Sequence, residues 1–245
     1  MELFSLSGFA RGFSTFVVIC FLAFHPDPQS RAQQLDESSV IQAIDASVKA
    51  RFNVIAAYAV TEHYAVFRNG DESHPMAEMV VKTNYRRESG KSYTILSESG
   101  STLIRKLVLD AILDREKQIN EPGVREHAWI TSANYEMKLK PGGTQRVDGR
   151  DCFDVSVNPR QKAPNLVVGE IWVDARDGSL VLLKGTASKS VSAFSAPAEM
   201  MRQYAAVDGF SMATHARAVS KSFLFGAATV TIDYTDYKIQ VNTKP

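Results

Sequence analysis

His63, His74, His127 and His215 are the histidines beyond residue 32, and they are too scattered along the chain to form a local metal-ligand motif. Only Glu62-His63 sets a carboxylate beside an imidazole, the pairing a general base would use. The surrounding residues alternate as in a strand, where neighbours point to opposite faces, so the two cannot share a local site. Asp151-Cys152 has the same geometry, with no cationic partner evident to lower the thiol pKa. Glu170, Asp174 and Asp177 surround an Asp-Gly pair, but they lack the calcium-loop spacing, and turn chemistry alone accounts for Asp177. No C-x-x-C, H-E-x-x-H, G-x-S-x-G, Walker-type or G-x-G-x-x-G pattern occurs, so no catalytic residue, metal or cofactor is expected. Arg86-Arg87 reads as a solvated strand end that could also steer an acidic head group.

Charge narrows the partners. Lys plus Arg number 28 against 27 Asp plus Glu, which leaves no net field to draw the chain onto nucleic acid or an anionic bilayer. The 245 residues are 44% apolar and 22% charged, the composition of a globular chain. Phe13 to Phe24 is an uncharged run preceded by Arg11 and followed by Pro26, Pro28 and small residues ending at Ala32, the order of a secretory signal peptide. A spanning helix needs about 20 apolar residues, and this run is shorter. Residues 1–32 are therefore expected to be removed on export to the periplasm, with cleavage near Ala32. Residues 33–245 are then expected to form a single neutral domain without a stable transmembrane anchor. Cys152 is left as its sole cysteine, and Phe153, Val155 and Val157 beside it favour burial on the inward side of a central strand.

The elements follow from periodicity. Asp36 and Glu37 suit a helix start, and Val40, Ile44, Val48 and Phe52 recur at four-residue spacing. From Val54 the period becomes two, with Tyr58, Val60, Tyr64 and Val66 on one side. Asn69-Gly70 and the Asp-Gly pairs at 148–149, 177–178 and 208–209 mark hairpin turns, while Pro141-Gly142-Gly143 reads as a plain turn. The last strand places Val230, Ile232 and Tyr234 on one face. The pattern predicts about nine strands and two helices. On a wheel of 100° per residue, the second helix puts Leu103, Ile104, Leu107, Val108, Ala111 and Ile112 on one arc, with Leu109 and Leu113 outside it. Such a helix is either sandwiched between layers or faces an openable cavity.

Gly169-Glu170-Ile171-Trp172-Val173-Asp174 with its Asp177-Gly178 turn, and the run Thr231-Ile232-Asp233-Tyr234-Thr235-Asp236-Tyr237, complete an order of elements over roughly 36 to 240 that resembles the LolA-like, outer-membrane lipoprotein-sorting family. The resemblance implies an α+β fold: an incompletely closed antiparallel β-barrel, a curved meander sheet covered by a helical lid over an apolar cavity. In the family's sorting chaperone that cavity takes acyl chains, and an arginine inside the barrel latches the lid; no residue here is matched to that arginine. The implied function is non-enzymatic binding or carriage of an apolar ligand, a lipid or lipidated protein. The alternative is a sensor or interaction module that receives an envelope protein partner in the same concavity. Lining of the cavity and lid is expected from Val48, Phe52, Leu107, Leu109, Leu113, Met79, Val81, Tyr135, Met137 and Trp172.

Overall fold

The computed structural model describes residues 28–190, 196–222 and 226–242, so the expected leader lies outside the described residues except for its last five positions. Helix α1 spans Pro28–Val54 and already includes those five, which places Asp36 and Glu37 inside the helix and not at its start. Val40, Ile44 and Val48 are buried on one face, as four-residue spacing requires. Strands β1 (Ile55–Arg68), β2 (Ala77–Arg86) and β3 (Gly90–Gly100) follow as antiparallel neighbours. A second helix then opens as α-helix at Thr102–Ile104, widens to π-helix over Arg105–Asp110 and resumes as α-helix over Ala111–Ile119. A 3-10 turn at Arg125–Ala128 leads to β4 (Tyr135–Val147), β5 (Arg150–Pro159), β6 (Val167–Asp174), β7 (Leu180–Ala187), β8 (Glu199–Val207), β9 (Phe210–Ser222) and β10 (Gly226–Val241).

These ten described strands, one more than the periodicity suggested, form one antiparallel sheet in the order β3-β2-β1-β10-β9-β8-β7-β6-β5-β4. β3 and β4 are its two free edges, so the sheet is not closed. The chain leaves the β3 edge and re-enters at the β4 edge, and the second helix and the 3-10 turn lie on that crossing. The segment is tied to α1 where Asp45 accepts hydrogen bonds from the Ser132 amide at 2.8 Å and hydroxyl at 2.6 Å.

Two buried apolar clusters hold the layers together among the described residues. In one, Val40, Ile44 and Val48 of α1 pack on Val155, Ile171, Val173 and Leu183. In the other, Leu109 and Leu113 of the second helix pack on Tyr64, Val66, Met79 and Val81. Asn69-Gly70, Asp148-Gly149 and Asp208-Gly209 all take positive φ, the conformation that two-residue hairpin turns demand. Pro141-Gly142-Gly143 is not a turn: β4 runs through it, with a register shift against β5 between Leu139 and Thr144. Proline has no amide hydrogen to offer a neighbour, and an edge strand with a bulge is where a sheet tolerates it.

The second helix buries a side shifted from the expected arc: Leu109 is fully buried while Leu103 and Leu107 are each 66% exposed. On a wheel of 100° per residue Ile104, Val108, Leu109, Ile112 and Leu113 share one half-turn, which leaves out both exposed leucines. The arc expected to face the core thus loses its two leucines to solvent.

Candidate functional site

Between the sheet, the end of α1 and the crossing segment lies a cavity of about 250 Å³. Period-two alternation brings Tyr58 and Glu62 of β1 into it, and Met200, Arg202 and Tyr204 of β8 likewise. A bulge does the rest. Asp236 adopts φ 56°, and the β1–β10 register slips there, so Tyr237 joins Tyr234 in the cavity despite standing three residues away.

Aromatic rings form much of the wall. Phe52 stacks on Trp129 with centroids 4.3 Å apart, and Tyr58 stacks on Tyr85 at 4.8 Å with Tyr237 tilted against it at 6.0 Å. Cations stand over these rings: Arg51 lies 4.6 Å from the Phe52 centroid and Arg125 lies 5.6 Å from that of Tyr85. Burial pushes the Tyr58, Tyr234 and Tyr237 phenols above their ordinary pKa, so all three are protonated near neutrality.

The charged groups inside are arranged by sign. Glu62 is fully buried and accepts a hydrogen bond from the Tyr64 hydroxyl. Lys91 of β3 reaches Glu116 of the second helix at 2.8 Å, and Asn120 donates to the same carboxylate at 3.3 Å. Burial alone would raise the Glu116 pKa, but Lys91 and Arg202 outweigh it and hold the carboxyl below its ordinary value. Burial likewise opposes the charge on Lys91, and Glu116, Tyr58, Glu62 and Tyr93 together outweigh it to hold the ammonium well above its usual value. Arg51, Lys91, Arg125 and Arg202 line the cavity against only Glu62 and Glu116, an excess of positive charge. Arg125 Nε bonds Glu126 at 3.1 Å, but its Nη1 has no hydrogen-bond partner in the protein, and neither do the Tyr85 hydroxyl and Trp129 Nε1.

A second cavity of about 240 Å³ adjoins the first and shares Glu116, Ala128, Ile130, Asn165, Met200, Arg202 and Tyr204 with it. Its remaining wall is mainly aliphatic, from Ile112 of the second helix to Val167, Leu183, Val230 and Ile232 of the sheet. The two cavities thus share part of their walls, an aromatic and cationic one beside a mainly apolar one.

Of the residues expected to line such a site, Val48 and Phe52 line the first cavity and Tyr135 the second. Met79, Val81, Leu109 and Leu113 belong to the packed cluster beneath the second helix, and Met137 to the cluster beneath α1. Leu107 faces solvent. Trp172 alternates with buried Ile171 and Val173 and therefore points to the sheet's other face, where Lys184 lies 5.6 Å from its ring. The second helix meets the cavities through Ile112, Glu116, Ile119 and Asn120 instead. Glu62 and Arg202 were legible from phase, since each stands two residues from an inward aromatic; Tyr237 was not, because only the bulge turns it inward.

The other candidate groups stay apart. His63 pairs with Glu78 at 3.1 Å, leaving Glu62 on the opposite face as strand alternation requires. Asp174 is held by Arg176 at 2.8 Å, Asp177 accepts from the Ser179 amide at 2.9 Å, and Glu170 pairs with Lys140. Among the described residues no group of three or more His, Cys, Asp or Glu could hold a metal ion. Cys152 is fully buried, and burial raises its thiol pKa although Arg150 opposes the shift. Its register partner is Asp174, out of phase with inward Val155, and β5 lies next to the sheet edge, so the thiol is not on the inner face of a central strand as expected. Arg87 clamps the junction of α1 and β1, donating to the Asn53 and Ile55 carbonyls at 2.7 and 2.8 Å.

No family model matches the sequence, and no curated protein matches it. Among solved structures the chain is similar to an outer membrane lipoprotein-sorting protein domain from Vibrio parahaemolyticus, at 12% identity and a TM-score of 0.45, covering 86% of this chain and 94% of that one. It is also similar to a LolA superfamily protein from Nitrosomonas europaea, at 11% identity and a TM-score of 0.43 over 83% of this chain and 93% of that one. A DUF1329 family protein from Desulfovibrio piger is a third, at 12% identity and a TM-score of 0.42 over 84% and 95%. The first two carry the family names that the order of elements suggested from the sequence.

Proposed function

We propose that this chain is a non-enzymatic periplasmic binding protein for an amphiphile, an acyl lipid or the lipid-bearing end of a lipidated protein. The observation that carries the reading is the adjacency of two cavities with shared walls, one mainly apolar and one polar, beneath a helix that crosses the open sheet. An alkyl chain in the apolar end is stabilised by about 0.8 kcal/mol per buried methylene, so roughly ten carbons supply on the order of 8 kcal/mol before ordering costs. Admission requires the second helix to lift, which separates Glu116 from Lys91 and leaves each charge to be resolvated. The leader-like residues 1–32 support an envelope location.

A second reading, docking of a protein partner, is favoured by one observation: Ile95 and Leu96 on the β3 edge and Leu103 and Leu107 on the adjoining helix are exposed large apolar side chains. Native mass spectrometry of the protein purified from its own host's envelope separates the two. A co-purifying lipid mass supports amphiphile binding, whereas a stoichiometric protein with no lipid overturns it in favour of the partner reading.

A further inference from the structure

Resting on the amphiphile reading, we infer that the ligand carries an anionic oxo group, a carboxylate or phosphate, and that Arg125, Tyr85 and Trp129 receive it. All three line the first cavity, and each carries a buried donor atom without a protein partner. The arginine and indole nitrogens can only donate, and burial raises the Tyr85 phenol so that it too remains a donor. Unpaired buried donors of this kind are costly, and a cluster of them in one cavity selects for an acceptor-rich occupant.

Charge agrees with hydrogen bonding. Lys91 is committed to Glu116, and the Arg51 Nη1 donates to the Ser211 carbonyl at 3.0 Å, whereas Arg125 keeps one nitrogen free. Glu126 holds the Nε edge of Arg125 and has its own unpartnered oxygen, yet it does not line the cavity and so leaves the free Nη1 available. The geometry thereby gives the ligand a direction: head group toward the 3-10 turn and β2, alkyl chain toward Ile112, Val230 and Ile232.

The test is displacement of a neutral apolar dye, N-phenyl-1-naphthylamine, from the delipidated exported protein by laurate, dodecyl phosphate and dodecanol. The anionic ligands should displace the dye at about tenfold lower concentration than dodecanol, the effect of one charge-assisted hydrogen bond. Whichever anion is stronger identifies the head group as carboxylate or phosphate. Arg125→Gln should erase most of that advantage and leave dodecanol unchanged. Tyr85→Phe guards against a folding artefact: it removes an unpaired buried hydroxyl, so it should weaken laurate while leaving the melting temperature equal or higher. Equal displacement by laurate and dodecanol in the unmodified protein, or no loss in either variant, overturns the head-group assignment while leaving apolar binding standing. If neither the dye nor any of the three ligands binds, the amphiphile reading itself falls.

Discussion

Single residues inside this protein are set by which neighbour outweighs burial. Glu116 sits where desolvation would raise its carboxyl, and Lys91 and Arg202 hold it low. A group whose pKa is depressed on folding stabilises the fold above its unfolded value, ordinarily near 4.5, and that contribution is lost as pH falls through the folded value. Lys91 is the mirror case: its contribution is present below its ordinary 10.5 and is lost as pH rises through the folded value. The melting temperature should therefore stay level across neutral pH and fall in acid, while Glu116→Gln should melt lower at neutral pH and show a shallower acid limb. Parallel acid limbs for the two proteins in a calorimetric pH series would refute the pair's part in stability. Cys152 tests the case in which burial outweighs a nearby cation, Arg150. Fully buried and with its thiol pKa raised, it should react slowly with a thiol reagent in the native protein and at once in denaturant. Fast native labelling would show that the strand around it opens.

At the scale of the element, the second helix shows how tertiary packing chooses between two apolar sides. Leu103 and Leu107 face solvent, and the half-turn holding Ile104, Val108, Leu109, Ile112 and Leu113 meets the sheet. Leu109→Ala should accordingly cost about 2 to 5 kcal/mol, the range for emptying a packed leucine site. Leu103→Ser and Leu107→Ser should each change stability by less than about 0.5 kcal/mol, as exposed substitutions do. Urea unfolding of the three variants decides the matter, and a large loss from Leu107→Ser would mean that the helix packs on its other side. α1 makes its own close approach to the sheet at Gly178. There φ is +69°, and an added Cβ would come within 2.4 Å of the Ala43 backbone carbonyl carbon, so the Asp177-Gly178 turn serves helix docking as well as hairpin reversal.

For the molecule as a whole, topology makes the lid. Because β1 pairs with β10, the chain must travel from the β3 edge to the β4 edge, and the segment that does so carries the second helix, Arg125 and Trp129 over the concave site. Under the proposed amphiphile binding, ligand entry would be a motion of the connection between two sheet edges and would leave the sheet intact. The same whole-chain view bears on export. Expression from residue 1 should yield a product beginning near Gln33, which shortens α1 by its first turn and spares Val40, Ile44 and Val48 that dock it. N-terminal sequencing of the periplasmic fraction checks this, and a product that retains Phe13 to Phe24 would return the membrane-anchor reading.

The order of elements, the amphipathic face of α1, the positive-φ hairpin turns and the inward phase of Tyr58, Tyr64 and Tyr234 follow from residue type and spacing alone. Each depends on local geometry that a few neighbours dictate. The separation of Glu62 from His63 was legible for the same reason. What only the tertiary structure decided is where the cavity lies and what it contains. Leu109 could not be told from a ligand-facing residue until packing on the sheet chose between the helix's two apolar sides, and Tyr237 turned inward only through the bulge at Asp236. Lys91 and Glu116 lie 25 residues apart on different elements, and each taken alone looks like a solvated charge. Their pairing, and the unpaired donors of Arg125, Tyr85 and Trp129, exist because edge-to-edge topology brings β2, β3 and the crossing segment to one site, an arrangement no local periodicity encodes.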